Sequence, residues 1–508
     1  MISRQRNIQI ALALLVLCAF ALRVWFISDN NVLFWFDQAR DATVVQEIVQ
    51  DRNLTLQGPS ASGTNDTVYH GVLYYYVIAP LYAVFQGNPV PVAGVLGLIN
   101  ALTIIPLFLL THHFTKSVKY SFLGSLLFAF SYEQVQLGTW LSNPTLAIPT
   151  IFLFYFFLWR VFWLKKSREL VLVALFLGLS NQAIIFSAYL GASVLIAFGL
   201  QWWREKQWQF SLWQIVLAGG VYFATVATML LNQFRLWRSG IFRLEALSES
   251  SSQQPLGFDS FLPLLQNYLG KFENAFFPNW PLVAVGLALL LIAVFFVKRG
   301  DSQQKIFFGL WILAPIFLLT LQFRSSYHTL IGLTPAFYLM VVLALQSIKV
   351  PRKKWLEYGF FTLFIIWNIA QLTQAKATGY HVAQTHDGSD LATKLEVIDY
   401  TYASAQGQTF SISTMTLPYG YNTTWAYLYD WYGSQLGEVP TWYGPTQAGI
   451  FAGNKLQEIQ TPNDLHFSIA EYQEFAPGHF QTEFADRQSV AGDVQETQQF
   501  GDFTIQKR

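Results

Sequence analysis

The chain has 508 residues, 53% of them hydrophobic, 17% aromatic and only 12% charged. A soluble domain carries about 25% charge, so this composition excludes a disordered chain and a cytosolic multidomain enzyme, and points to a polytopic membrane protein with water-facing parts. With 31 Lys+Arg against 30 Asp+Glu there is no basic surplus for nucleic acid, and the one cysteine, Cys18, excludes an internal disulfide framework or a Cys-rich metal centre.

In chain order, the sequence MISRQR precedes an apolar run from Ile8 to Ile27, about 20 residues and enough to cross the hydrocarbon core. Trp25 and Phe26 stand where a small-residue cleavage site would be, so this reads as an uncleaved first span, with Arg23 near its outer end placed to snorkel or to face protein. Further spans are expected at 91–111, 120–137, 144–159, 169–182, 184–201, 209–231, 280–297, 303–322, 327–346 and 354–373. Val72–Phe85 is apolar but short, and charge decides its place. The clusters Arg4/Arg6, Lys116/Lys119, Arg160/Lys165/Lys166/Arg168, Arg204/Lys206, Lys298/Arg299/Lys305 and Lys349/Arg352/Lys353/Lys354 all fall on the cytoplasmic side only if this segment does not cross. It is therefore expected as an interfacial helix, with its three consecutive tyrosines, Tyr74 among them, in the headgroup layer.

The expected fold class is an all-α polytopic membrane protein of about eleven transmembrane helices plus interfacial helices, with a small C-terminal extracytoplasmic α/β domain. The division falls at 1–375 and 376–508. The N-terminus is expected inside the cell and the tail outside. Outer loops are expected from Ser28 to Val90 and from Asn232 to Asn279. The tail alternates in strand fashion (FSISTMT, LHFSIAEY, FTIQKR) around a helical LATKLEVIDYTYA, and its length suffices for a core.

Chemistry concentrates in the first outer loop. Phe34-Trp35-Phe36-Asp37-Gln38-Ala39-Arg40-Asp41-Ala42 leads into a helical pattern, which places Asp37, Arg40 and Asp41 on one face. Two readings are open for Asp37: a helix-start carboxylate paired with Arg40, or a general base poised by partial desolvation. His70 opens the interfacial helix, either as a headgroup-layer histidine or as a donor to sugar or phosphate. Asn143 in LSNPT reads as a turn and helix start or as a cavity residue, with Glu133 nearby. Arg324, Tyr327 and His328 flank a short outer turn, where a cation and an imidazole suit a lipid phosphate. Arg235, Arg238 and Arg243 are further phosphate candidates. The aromatic YGYNTTWAYLYDWYG (419–433) is a domain core, a membrane-resting surface or an acceptor subsite.

The pieces FDQARDA (36–42), YHGVLYYY (69–76), SYEQVQLGTWLSNPTLA (131–147) and RSSYHTLIGLTPA (324–336), in this order and sidedness, resemble the GT-C glycosyltransferases, in particular bacterial relatives of protein O-mannosyltransferases and lipid A aminoarabinose transferases. The resemblance implies a sugar transferred from a polyprenyl phosphate to an acceptor hydroxyl on the outer face, with inversion and with Asp37 as general base. Arg40, Asp41, His70, Tyr74, Glu133, Asn143, Arg324, Tyr327 and His328 would be the substrate-binding residues. Gln38 stands where the mannosyltransferases usually carry an acidic partner, and Gly71 and Val72 where relatives often carry prolines. Asn143 replaces a frequent acidic residue, so a metal-independent site without cofactor is expected. The acceptor is open among glycan, lipid and protein. A transporter or lipid-linked-sugar flippase is the alternative.

Overall fold

The computed structural model describes residues 2–61, 68–240, 258–292, 302–317, 327–375, 378–379, 387–447, 456–471 and 476–508. Arg243, the SESSSQQ stretch and Arg324 lie outside the described residues.

Among the described residues, six helices are long and apolar enough to cross a membrane: Gln5–Ile27, Pro89–Thr115, Pro144–Phe162, Ile185–Glu205, Leu212–Arg238 and His328–Ser347. A seventh crossing comes from Leu262–Phe276 and Pro281–Ile292 if that pair, bent by 99°, is one span. The protein is a multi-pass membrane protein. Helices also occupy other expected spans, in shorter or broken form: Val118–Phe130 is followed after Ser131 by Tyr132–Gly138, and Leu170–Ala183 has 14 residues. The expected interfacial segment is α3, Leu73–Val84, following α1 (Ile2–Ile27) and α2 (Phe36–Gln46). Twelve residues of helix reach about 18 Å, well short of a hydrocarbon core about 30 Å thick.

Arg23 faces protein. It is fully buried, its Nε and Nη2 donate to Asn100 Oδ1 at 3.1 and 2.8 Å, and Nη1 donates to the carbonyls of Ala19 and Ala129. A buried cation is tolerable when its donors are satisfied in this way.

Side-chain contacts gather basic residues at one end of the bundle. Lys119 and Lys353 both pair with Glu357, Arg160 pairs with Glu169, and Lys165 pairs with Glu205. Gln346 Nε2 donates to the Thr115 carbonyl, and Phe114 packs edge-on against Trp159 at 4.7 Å, which joins these groups into one layer.

The tail folds as a five-stranded sheet of order β2-β1-β3-β5-β4, with β1 Ser411–Met415, β2 Thr441–Trp442, β3 His466–Glu471, β4 Glu496–Phe500 and β5 Phe503–Lys507. β1 runs parallel to β2 and β3, while β5 is antiparallel to β3 and β4. The three alternating segments of the sequence are β1, β3 and β5, and the helical one is Leu391–Ala405. This sheet is clamped to the loop that follows α1. Phe34 N donates to Ser389 O at 3.1 Å and Leu391 N to Val32 O at 2.8 Å, so Val32–Phe34 and the start of the tail helix hold one another.

Candidate active site

Helix α2 begins where Trp35 is extended and its N–H donates to Gln38 Oε1 at 3.0 Å. Gln38 is buried, and its Nε2 donates to Leu141 O at 3.1 Å, which fixes the helix start against the bundle. Asp37 lies in the first turn, where a carboxylate is favoured by the unpaired N–H groups and the helix dipole.

One guanidinium serves two carboxylates of opposite environment. Arg40 Nη1 is 2.7 Å from Asp37 Oδ1, and its Nε and Nη2 are 3.0 and 2.7 Å from Asp41 Oδ1. Tyr75 adds its hydroxyl to the same Asp41 oxygen at 3.0 Å. The Asp37 side chain is 66% exposed, whereas those of Arg40 and Asp41 are 15% and 4% exposed. Burial pushes the Asp41 carboxyl up to about 6, against the pull of Arg40. Asp41 and Tyr75 thus hold Arg40, and Asp37 opens outward beside it.

Two histidines stand near this pair. His70 Nδ1 accepts the Ile185 N–H at 3.1 Å, so a neutral ring carries its proton on Nε2. Burial, with His328 and Arg40 adding to it, pushes His70 down to about 3. Gly71 follows against Gln182: a Cβ at this position would lie 2.7 Å from the Gln182 Cα, so the close approach needs glycine. His328 stacks on Trp140 with ring centroids 5.6 Å apart, and its buried Nδ1 has no hydrogen-bond partner. It lies within electrostatic range of Asp37, Lys271 and His70. Gly379, at φ +70°, abuts Trp140 and brings the start of the tail against the same wall.

Beneath them is a buried ion pair. Lys271 Nζ is 2.7 Å from Glu133 Oε1, and both side chains are fully buried. Glu133 Oε2 accepts from Thr334 at 2.5 Å and from Gln134 at 3.1 Å. Lys271 rides on Phe258–Phe276. Other residues of that helix, Leu264, Tyr268 and Phe272, line an apolar groove of about 410 Å³ with Leu291, Ile312 and Phe337. One helix therefore carries both a buried cation and the wall of a lipid-sized groove.

The tail supplies the outer wall. Phe36 meets Tyr421 edge-on at 5.6 Å, and the Arg40 guanidinium lies 5.9 Å from the centre of the Phe36 ring. Tyr421 is exposed, while Trp425, Tyr427 and Tyr429 of the same aromatic stretch are buried as core. Tyr427 docks the tail on the bundle, donating to Gly87 O at 2.6 Å and packing on Phe34 at 5.6 Å.

Asp37, Arg40, Asp41, His70, Glu133 and His328 thus come together around one region. Tyr74 is buried, and it is Tyr75 that reaches Asp41. Asn143 is the N-cap residue of Pro144–Phe162, and its Nδ2 donates to Ala183 O at 2.6 Å, which ties two helices together. Tyr327 begins the 3-10 turn Tyr327–Leu333. Arg235 and Arg238 end the helix Leu212–Arg238 and reach none of these groups by hydrogen bond or ion pair. The sequence reading missed Lys271, Tyr75, Trp140 and Thr334. Lys271 lay in the expected loop 232–279, yet its segment (FLPLLQNYLGKFENAF) has apolar residues at helical spacing, which marks a helix there. Among the described residues, no cluster of three or more His, Cys, Asp or Glu side chains could hold a metal ion.

No family profile matches the sequence, and no curated protein is similar to it. Among solved structures, the chain is similar to the lipid A aminoarabinose transferase ArnT from Cupriavidus metallidurans bound to undecaprenyl phosphate, with a TM-score of 0.59 and 11% identity over 97% of each chain. The same protein in the apo state gives a TM-score of 0.58, also at 11% identity, over 98% of each chain. At that coverage the comparison takes in the transmembrane helices, the loop after α1 and the tail, and this chain has the fold seen in that GT-C membrane glycosyltransferase.

Proposed function

We propose that this protein is a glycosyltransferase that moves a sugar from a polyprenyl phosphate to an acceptor hydroxyl on the outer face of the membrane. The observation that carries the reading is the asymmetry of the two carboxylates: Asp41 is buried and committed to Arg40 and Tyr75, while Asp37 is open on the first turn of α2. Asp37 removes the proton from the acceptor hydroxyl. The oxygen attacks the anomeric carbon from the face opposite the phosphate, the bond from that carbon to the phosphate oxygen breaks, and polyprenyl phosphate leaves with the electron pair. The anomeric configuration inverts. A phosphate leaving group needs charge stabilisation rather than an acid, and Lys271 and the unpartnered Nδ1 of His328 are the groups nearest that role. The apolar groove beside Lys271 suits the isoprenoid chain. The neighbour that holds undecaprenyl phosphate on this fold supports a lipid-phosphate donor here.

The reading includes about eleven crossings, the N-terminus inside the cell, and the 376–508 tail as an outer domain. The gathering of basic residues at one end of the bundle supports that orientation. The test is reconstitution of the purified chain in liposomes with radiolabelled polyprenyl-phosphate sugars and candidate acceptors. Label leaving the lipid for an acceptor, with free polyprenyl phosphate accumulating, is the expected result. Label that crosses the bilayer still joined to its carrier would replace the transferase reading by a flippase.

A further inference from the structure

A second cavity lies at the basic end of the bundle, away from Asp37. It measures about 280 Å³ and is bounded by Trp163, Lys165, Gln201, Arg204, Glu205 and Gln303. Gln201 is 4% exposed, and neither its amide oxygen nor its amide nitrogen has a hydrogen-bond partner. A buried amide unpaired at both ends bears the full cost of losing its water, so its presence on a cavity wall calls for a ligand with both a donor and an acceptor. Arg204 is exposed and makes no hydrogen bond or ion pair among the described residues. Lys165 and Glu205 close the rim by pairing with each other, which leaves Arg204 as the free charge.

The cavity has an apolar extension. Leu200 lines it and also lines a groove of about 520 Å³ that runs between Leu190–Glu205 and Ser302–Leu313, past Ile196, Leu310, Leu313 and Phe317. The polar cavity sits at the level of a tryptophan belt. Trp202, Trp203, Trp208 and Trp213 are exposed there, and Trp202 and Trp208 stack at 5.1 Å. Exposed tryptophans beside lysines and arginines mark the headgroup layer of a bilayer.

We propose that this cavity and groove hold one phosphatidylglycerol-type phospholipid. Its phosphodiester accepts from Arg204 and from the Gln201 Nε2–H, a headgroup hydroxyl donates to Gln201 Oε1, and one acyl chain lies along the Leu200–Leu313 groove. The site is separate from the transfer chemistry and stands whether or not the catalytic reading holds.

The full chain, delipidated in detergent, is titrated with dioleoyl-phosphatidylglycerol and the bound lipids are counted by native mass spectrometry. Dioleoyl-phosphatidylcholine serves as the comparison. One phosphatidylglycerol should be retained in preference to phosphatidylcholine, and Arg204→Gln and Gln201→Leu should each weaken it by about tenfold, the scale of one charge-assisted hydrogen bond. Arg204 is exposed, so its replacement leaves the packing intact and an unchanged melting temperature verifies this. Equal retention of the two lipids, or undiminished binding by Arg204→Gln, overturns the proposal. Displacement of the lipid by millimolar inorganic phosphate would assign the cavity to a free anion and overturn it as well.

Discussion

Replacing Lys271 by Met tests the buried layer under the site. Lys271 and Glu133 touch at 2.7 Å with no solvent access to either side chain. Without the ammonium, Glu133 keeps the neutral donors Thr334 and Gln134. Removing one partner of such a pair costs about 3–5 kcal/mol, most of it the burden of an uncompensated carboxylate. The double variant Lys271→Met/Glu133→Gln removes both charges at nearly constant volume and should cost less than about 1.5 kcal/mol. Equilibrium unfolding in mixed micelles of mild detergent and dodecyl sulfate measures both. Turnover separates structure from chemistry: if the ammonium meets the donor phosphate, the double variant regains stability but not activity. A single-variant cost below about 1 kcal/mol, or a double variant no more stable than the single, would refute the buried-pair argument.

Three further outcomes follow from other parts of the site. Asp41 is raised to about 6 by burial, so the neutral form is the one the fold favours, and that contribution is lost as pH rises through about 6. Charged Asp41 shares Arg40 with Asp37, and protonation leaves Arg40 to Asp37 alone. Turnover should therefore fall on an acid limb centred near 6, and Asp41→Asn should be slow at every pH and lack that limb; a limb unchanged in Asp41→Asn contradicts this. Gly71→Ala should lower the melting temperature by several degrees, because the new Cβ would lie 2.7 Å from the Gln182 Cα; an unchanged melting curve would mean the two segments separate freely. Tyr421→Ala should raise the KM for acceptor with little change for donor, since Tyr421 forms the outer wall beside Phe36; a donor effect of equal size would move Tyr421 out of the acceptor path.

What the sequence revealed was local. Aromatic residues before an acidic helix start placed α2 and Asp37, because amphipathic spacing and end charge are properties of neighbouring residues. Strand alternation placed β1, β3 and β5 for the same reason. Charge asymmetry grouped Lys119, Arg160, Lys165 and Lys353, whose ion pairs lie at one end of the bundle. The pairings that complete the site were not legible: Glu133 meets Lys271, and Val32–Phe34 meets Ser389–Leu391, through contacts between distant segments that no local period encodes. Spans read as continuous are broken where the chain can satisfy its polar groups internally. At Ser131 the hydroxyl accepts the Gln134 N–H, and Tyr132 N donates to Asn368 Oδ1, so the break leaves those groups paired. Asn143 read first as a turn and helix start and second as a cavity residue; it is the N-cap of Pro144–Phe162, and its hydrogen bond to Ala183 ties two helices together. Of the adjacent tyrosines the sequence pointed to Tyr74, and the helix phase instead brings Tyr75 to Asp41.

The central claim is that the open carboxylate of Asp37 takes the acceptor proton, and the direct measurement is single-turnover sugar transfer by Asp37→Asn. Asp37 is exposed, so the amide should fold, melt and bind polyprenyl-phosphate donor as the parent chain does. Transfer should slow by about 10²–10⁴-fold, the usual worth of a positioned base. Transfer by Asp37→Asn within a factor of a few of the parent rate, with donor binding intact, would contradict the account.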